Sequence, residues 1–281
     1  MKKKTLADAI TAACRAPHLF LDLDGTLVGS SGDVRDDVWE ALEPLRGHVG
    51  ISVCTGRTRA GVAQRIAARL DDVGLHIFEN GGLIAPAAGE PLFVSELPAP
   101  DLARIIEASR RIDATVELYT ADGIFVSRLS DDCRAHARAL DIEIVEADLE
   151  RVAREHAVIR AHWIMRENTV PAVLDIPLTD CELGLASSPV LPDLVFASVT
   201  RRGTSKGHAA AIVAEAADFQ LADAVGIGDA IGDLPLLEAV GHPFIVENAS
   251  LELIERYTAL GHVDSDGIVP LLLRMATPID L

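Results

Sequence analysis

The chain is poor in the residues that announce several common chemistries. Its four cysteines, Cys14, Cys54, Cys133 and Cys181, are scattered, and no C-x-x-C pair occurs. Such spacing reads as reduced thiols in a cytoplasmic protein rather than a disulfide framework. None of the nine histidines stands in an H-E-x-x-H arrangement, so zinc has no support. The absence of G-x-x-x-x-G-K-[ST] excludes a P-loop kinase. No apolar run approaches the roughly 18 residues that a membrane helix needs. The opening Met1-Lys2-Lys3-Lys4-Thr5 meets an acid at Asp8, where a signal peptide would need an apolar core. Aromatics are only 4%, too few for an aromatic sugar-stacking platform. Positive charge is scarce as well: 25 Lys+Arg face 43 Asp+Glu, a net charge of −18. That field repels nucleic acid and anionic membranes, so neither is expected as a partner. Lysine is the rarer of the two strong bases, four against 21 arginines, and Lys206 is the sole one beyond position 4.

What is present points to an α/β protein. The 281 residues are 49% hydrophobic, enough for a large domain or a core plus a smaller one. Short apolar runs end repeatedly in polar clusters. His18 to Leu21 meets Asp22-Leu23-Asp24-Gly25-Thr26, Val49 to Cys54 meets Thr55-Gly56-Arg57, and Leu75 to Phe78 meets Glu79-Asn80-Gly81-Gly82. Further on, Ala224 to Ile227 meets Gly228-Asp229, and Pro243 to Val246 meets Glu247-Asn248. Unalternating runs of this length suit strands buried on both faces of a parallel sheet. Helical spacing lies between them at Ala60 to Leu70, Ser205 to Ala217 and Leu234 to Val240. Right-handed crossovers then imply a doubly wound, Rossmann-like sheet, with ligands beyond the carboxyl ends of its strands.

The middle of the chain reads differently. Thr115 to Tyr119 and Ile124 to Val126 flank Thr120-Ala121-Asp122-Gly123, a hairpin signal. Further strands are expected at Ile142 to Val145, Val158 to Met165 and Leu194 to Val199. Helices are expected at Asp101 to Ile112, Asp132 to Leu140, Leu149 to His156 and Val170 to Leu174. The Pro91 to Pro100 and Ser187 to Pro192 stretches interrupt the pattern. The expectation is an α+β module, residues 84–200, inserted into a core formed by 1–83 and 201–281.

Chemistry concentrates at the strand ends. Asp22 and Asp24, at i and i+2 after a buried strand, can both reach one small site, and Gly25 permits a sharp turn there. A plain Asp-Gly turn is the ordinary alternative. Thr55 and Gly56 offer a hydroxyl and free N–H groups to a phosphate, unless Thr55 or Thr58 simply caps the following helix. Lys206 opens a helix, where the dipole adds positive potential. Most lysines are solvated, but a lone internal lysine among arginines favours a compact ammonium in a role guanidinium cannot fill. Asp229 and Asp233 add two carboxylates, although Asp233 could serve as an N-cap. Four carboxylates around a phosphate dianion require a cation, and hard oxygen donors favour Mg²⁺ over zinc.

The ordered set D-x-D-G-T (Asp22 to Thr26), T-G-R (Thr55 to Arg57), a lone K-G (Lys206-Gly207) and G-D-x-x-x-D (Gly228 to Asp233) resembles the haloacid dehalogenase superfamily of phosphatases. The insertion resembles the large α+β cap of its Cof-type sugar-phosphatase branch. Glu79-Asn80-Gly81-Gly82, Asn248-Ala249-Ser250 and Asp264 to Ile268 are similar to further segments of that branch. The resemblance implies that Asp22 is the nucleophile and a magnesium ligand. Asp24 is then the general acid/base, with its backbone carbonyl on the metal. Thr55, Gly56 and Lys206 hold the phosphoryl group, Asp229 ligates magnesium, and Asp233 does so directly or in support. Arg57 and Asn80 stand near the site. The chain departs from the branch at Gly232, where an Asn is usual, and keeps both acids.

The implied activity is Mg²⁺-dependent hydrolysis of a small phosphomonoester: a sugar phosphate, a polyol phosphate or a glycosyl-phosphoglycerate. A phosphomutase on the same scaffold and a non-catalytic phosphate-ligand-binding protein are the alternatives. Within the insertion, Arg128, Arg160, His162, Trp163 and Arg166 are candidate substrate contacts, each equally readable as structural or surface residues. The expected partner is a small phosphorylated metabolite, and the expected assembly a monomer or homodimer.

Overall fold

A computed structural model describes residues 5–188 and 191–277. The basic opening at positions 1–4, and positions 189 and 190 of the Ser187 to Pro192 stretch, lie outside the described residues. The chain divides into two compact units. One comprises the described residues of Met1–Arg57, Ala63–Glu90 and Ser205–Leu281, and the other holds Thr58–Val62 and Pro91–Thr204.

The first unit is built on a five-stranded sheet in the spatial order Thr258–Ala259, His242–Ile245, Val225–Gly228, His18–Leu21, Gly50–Val53. Every neighbouring pair is parallel. His18–Leu21 and Val225–Gly228 are buried at all four positions, which is why their sequences run apolar without alternation. Strand order reverses between these two neighbours, because the chain proceeds from His18–Leu21 to Gly50–Val53 on one side and later from Val225–Gly228 outward on the other. Such a reversal opens a crevice beyond the carboxyl ends of the two strands. The expected doubly wound core is present.

One core strand is not where the sequence suggests. His76–Phe78 leaves the parallel sheet, touches it through a single parallel bridge between Ile77 and Cys54, and pairs antiparallel with Leu83–Ala85. A fully buried run carries the same apolar signature in either setting, so its pattern alone did not distinguish them. Among the expected helices, Gly61–Leu70, Lys206–Ala216 and Leu234–Ala239 form within a residue or two of their predicted bounds. Ser205 caps the second, its hydroxyl accepting from the His208 N–H at 3.2 Å. Two helices the sequence reading passed over, Asp36–Leu42 and Val269–Ala276, pack against each other.

The second unit carries a six-stranded sheet in the order Cys181–Ser188, Leu191–Arg201, Val158–Met165, Thr115–Thr120, Ile124–Val126, Val145–Glu146. Its pairs are antiparallel except the last, which is parallel. Helices Ala99–Ser109, Leu149–Glu155 and Val170–Leu174 bury Leu102, Ile105, Val152 and Val173 with Val116, Leu118 and Trp163 of the sheet. The helix Asp131–Leu140 contributes Cys133 to a smaller cluster with Ile164, Leu194 and Phe196. The strand expected at Ile142 to Val145 is corrected to the exposed pair Val145–Glu146. The Leu140 helix ends in a left-handed Asp141, and the chain needs the next residues to turn back. All four cysteines are free. No helix among the described residues is long and apolar enough to cross a membrane.

Candidate active site

The chemistry-bearing residues of the first unit meet where the strand order reverses. Asp22 directly follows His18–Leu21, and its N–H donates to the Ile227 carbonyl at 3.0 Å. Asp229 directly follows the adjacent strand Val225–Gly228. Asp22, Asp229 and Asp233 each present an oxygen within 4.8 Å of the other two. Lys206, at the first turn of its helix, donates from Nζ to Asp22 Oδ1 and to Asp233 Oδ1, both at 2.6 Å. The lysine is 4% exposed, Asp22 5% and Asp233 1%, so these charges are shielded from water and interact strongly.

The electrostatics follow from that burial. Desolvation raises the Asp22 carboxyl well above the ordinary range, with Asp233 and Asp229 adding to the shift and Lys206 opposing it. Burial alone would lower Lys206, but Asp22 and Asp233 outweigh it and hold the ammonium protonated. Asp229 is pushed up to about 6 by burial and by Asp233. Two carboxylates share one ammonium and a third, Asp229, stands beside them without it, which leaves a deficit of positive charge. The donors are all hard carboxylate oxygens, without histidine or cysteine, and such a set fits Mg²⁺.

Asp233 stands at the N-cap position of the helix Leu234–Ala239, as expected, but its side chain makes no cap hydrogen bond to that helix. Its Oδ2 accepts the N–H groups of Asp229 and Ala230, each at 3.0 Å, and so fixes the loop that presents Asp229. With Oδ1 on Lys206, both of its oxygens are engaged. Gly25 shows why no side chain is tolerated beside the acids. Its φ is +84°, and a Cβ there would lie 2.4 Å from Asp229 Oδ2. Thr26 donates to Asp229 Oδ1 at 3.2 Å. Gly232 lies at an open position, with nothing within 4 Å of where a Cβ would stand.

Asp24 has a different environment from Asp22. Its carboxylate is exposed and accepts from Arg57 Nε at 2.8 Å and Nη2 at 2.5 Å. Arg57 is thus more than a neighbour, because it sets where the Asp24 carboxylate rests. Thr55 is 1% exposed, and its hydroxyl accepts from the Arg57 N–H at 3.1 Å, tightening this loop rather than capping a helix. Asn80 joins the same loop. Its N–H donates to the Thr55 carbonyl at 2.9 Å, and its side chain closes over Gly56, where a Cβ would lie 2.9 Å from Oδ1.

Two positioning contacts came from a segment quoted above without a role. The Asn248 side-chain amide donates to the Gly25 carbonyl at 2.7 Å, while its Oδ1 accepts from the Val263 N–H at 3.0 Å. Ser250 N–H donates to the Asp229 carbonyl at 2.9 Å. One loop therefore holds both acid-bearing turns. Its sequence signals were the Asn at the end of another buried apolar run and the likeness of Asn248-Ala249-Ser250 to a family segment.

The candidate groups of the second unit divide sharply. Trp163 is fully buried in the apolar core, and His162 is packed against His136 and Phe196 with Nδ1 2.9 Å from Ser198 Oγ. The Arg160 guanidinium lies over the Tyr119 ring, 4.1 Å from its centre. Arg128 and Arg166 are exposed.

Comparison with known proteins places this arrangement. A Streptococcus pyogenes serotype M6 protein, whose name provisionally gives it as a phosphatase, is 27% identical over 87% of this chain and 93% of its own length. An HMP-PP phosphatase of Yersinia pseudotuberculosis is 25% identical over 88% of this chain and 90% of its own. Among solved structures, a haloalkanoate-superfamily phosphatase of Bacteroides thetaiotaomicron superposes with a TM-score of 0.75 at 24% identity, covering 93% of this chain and 96% of that one. The model of the haloacid dehalogenase-like hydrolases matches residues 19–272, which span every acid and the lysine described above, and the chain belongs to that family.

Proposed function

We propose that this phosphoric monoester hydrolase cleaves a small phosphorylated metabolite through an aspartyl-phosphate on Asp22. The observation that carries the reading is the placement of Lys206 Nζ between Asp22 and Asp233, with Asp229 alongside. A carboxylate held beside an ammonium, with further acids to recruit a divalent cation, is equipped to attack an anionic phosphoryl group.

Asp22 forms a bond to phosphorus as the ester P–O bond breaks, and Asp24 gives its proton to the departing alkoxide. Asp24 then takes a proton from water, which attacks phosphorus and releases phosphate and free Asp22. Lys206, the Thr55 hydroxyl and the Gly56 N–H hold the phosphoryl oxygens. Asp22, Asp229 and the Asp24 backbone carbonyl would ligate Mg²⁺, with Asp233 fixing the loop behind them. The metal, when bound, supplies positive charge against the phosphoryl oxygens. Arg57 holds the Asp24 carboxylate until substrate arrives.

The second unit is the specificity cap in this reading, and the substrate is a sugar phosphate, polyol phosphate or glycosyl-phosphoglycerate. The test is phosphate release from a panel of these compounds, with HMP-PP included, in Mg²⁺ and in EDTA. Metal-dependent release peaking on one class is the expected result. Turnover that requires a bisphosphate activator would replace hydrolysis by phosphoryl return to a sugar. Silence across the panel, with no phosphoenzyme trapped in a single turnover, would make the chain a binder.

A further inference from the structure

The second unit contains a cavity of about 630 Å³, within the roughly 300–1,000 Å³ typical of small-molecule sites. Arg110, Arg111, Arg128 and Arg166 line it, with Thr115 and Ser130 among the hydroxyls. The acids in its wall are Asp113 and Asp132. Four arginines thus line one space against two aspartates, in a chain of net charge −18.

The strand register places this cavity within its unit. Thr115 pairs with Ile164 at one end of the sheet, while Thr120 pairs with Val158, and Thr200 with Arg160, at the other. The long segment of the unit, Pro91–Thr204, begins and ends near that second end, where Leu97 N–H reaches the Val158 carbonyl and Ser95 bonds Thr204. The cavity is lined by Thr115, Ile164 and Met165, so it lies at the first end of the sheet, away from the ends of the Pro91–Thr204 segment. Every residue of its wall belongs to the second unit, whereas the acid cluster belongs to the first.

We propose that this cavity is an accessory site for a phosphorylated metabolite, separate from the site of hydrolysis. Guanidinium groups offer paired N–H donors that match phosphate oxygens, and several around one space suit a ligand with more than one anionic group. Three of the four are already in exposed ion pairs: Arg110 with Glu150, Arg111 with Glu107 and Arg166 with Asp132. Exposed pairs of this kind contribute little and exchange readily for a better anion. Arg128 makes no ion pair among the described residues.

The test is hydrogen exchange by mass spectrometry on the full chain in EDTA, with methylenebisphosphonate as a non-hydrolysable probe. Saturable slowing of exchange in residues 109–115, 127–132 and 164–169 is expected. Arg128→Ser combined with Arg166→Ser should weaken that binding by about tenfold or more, at an unchanged melting temperature. If the double variant melts early, Arg128→Glu alone serves in its place. Protection confined to residues 22–26, 55–57 and 228–233 would overturn the proposal, as would no protection or undiminished binding by the variant. The readout is binding rather than turnover, so it stands or falls independently of the hydrolysis assigned to Asp22.

Discussion

Asp22 and Asp101 are both buried aspartates, one in each unit, yet their carboxyls are driven in opposite directions. Asp22 is raised, first by desolvation and then by two neighbouring acids, with Lys206 only partly compensating. Asp101, 0% exposed, is held down to about 2. Burial acts to raise it too, but the N–H groups of Asp180 and Thr179 donate to it at 2.9–3.1 Å, the Thr179 hydroxyl donates at 3.0 Å, and together they win. Burial alone therefore does not set the state of a carboxylate; the donors around it do. A structural acid is surrounded by N–H groups and locked. The acid read here as the nucleophile has one ammonium and two like charges beside it, an arrangement that favours arrival of another cation.

That contrast breaks first at Asp22 itself. Asp22→Asn should lower phosphate release by roughly a thousandfold or more while the melting temperature moves by only a few degrees. Residual turnover near wild type would remove Asp22 from the nucleophile's role. Lys206→Met, which leaves Asp22 and Asp233 buried without their shared ammonium, should cost about 3–5 kcal/mol in urea unfolding. Activity should fall with it.

Acid pH acts on both units through buried histidines. His18 is lowered to about 4 by burial, with His76 adding to the effect, and its Nε2 lies 2.7 Å from Ser52 Oγ. Its neutral form is the folded form, so its stabilising contribution is complete above the ordinary value of 6.5 and is lost as pH falls toward 4. The loss amounts to about 3 kcal/mol. Asp101 works in a lower window, since its stabilisation persists above the ordinary carboxyl range and fades only as pH falls toward 2. Trp39 lies in the first unit and Trp163 in the second, so variants carrying one tryptophan each can follow the two separately. His162, buried in the second unit, is likewise driven well below 6.5, by burial first and then by Arg160 and His136, so both signals should weaken as pH falls below 6.5. A signal from either unit that stayed at full strength down to pH 4 would contradict the assignment.

Asp101→Ala should destabilise by about 2 kcal/mol, because it strands the N–H groups of Thr179 and Asp180, and leave turnover per folded molecule intact. The smallest effect belongs to Gly232→Asn. The position is open and exposed, so the family's usual Asn should fit with a stability change within about 0.5 kcal/mol. A rise in kcat/KM would show that the polar contact was worth restoring, whereas an unchanged value would show that the surrounding residues do without it.

Much of this protein was legible because its strands are short, buried on both faces and end in polar residues. The positions of Asp22, Thr55 and Asp229 followed from that punctuation, and Lys206 from its rarity. The strand His76–Phe78 was legible as a strand but not as a member of a separate antiparallel pair, since apolar runs look alike in both. Val145–Glu146 fell short of its predicted length because Asp141 takes a left-handed turn that propensity does not announce.

The sequence by itself determined the element types, the order of the motifs and the acid-rich, lysine-poor chemistry. All of these are local properties of composition and period. Tertiary structure alone decided which charges share a space. It put Lys206 between Asp22 and Asp233, 184 and 27 residues away along the chain, and gave Asp24 to Arg57 instead. It also let Asn248 tie the first acid loop to the last. Those pairings depend on the reversal of strand order that makes His18–Leu21 and Val225–Gly228 neighbours. Their energies depend on burial, which changes the strength of every charge in the site and is a property of the whole packed unit rather than of any segment.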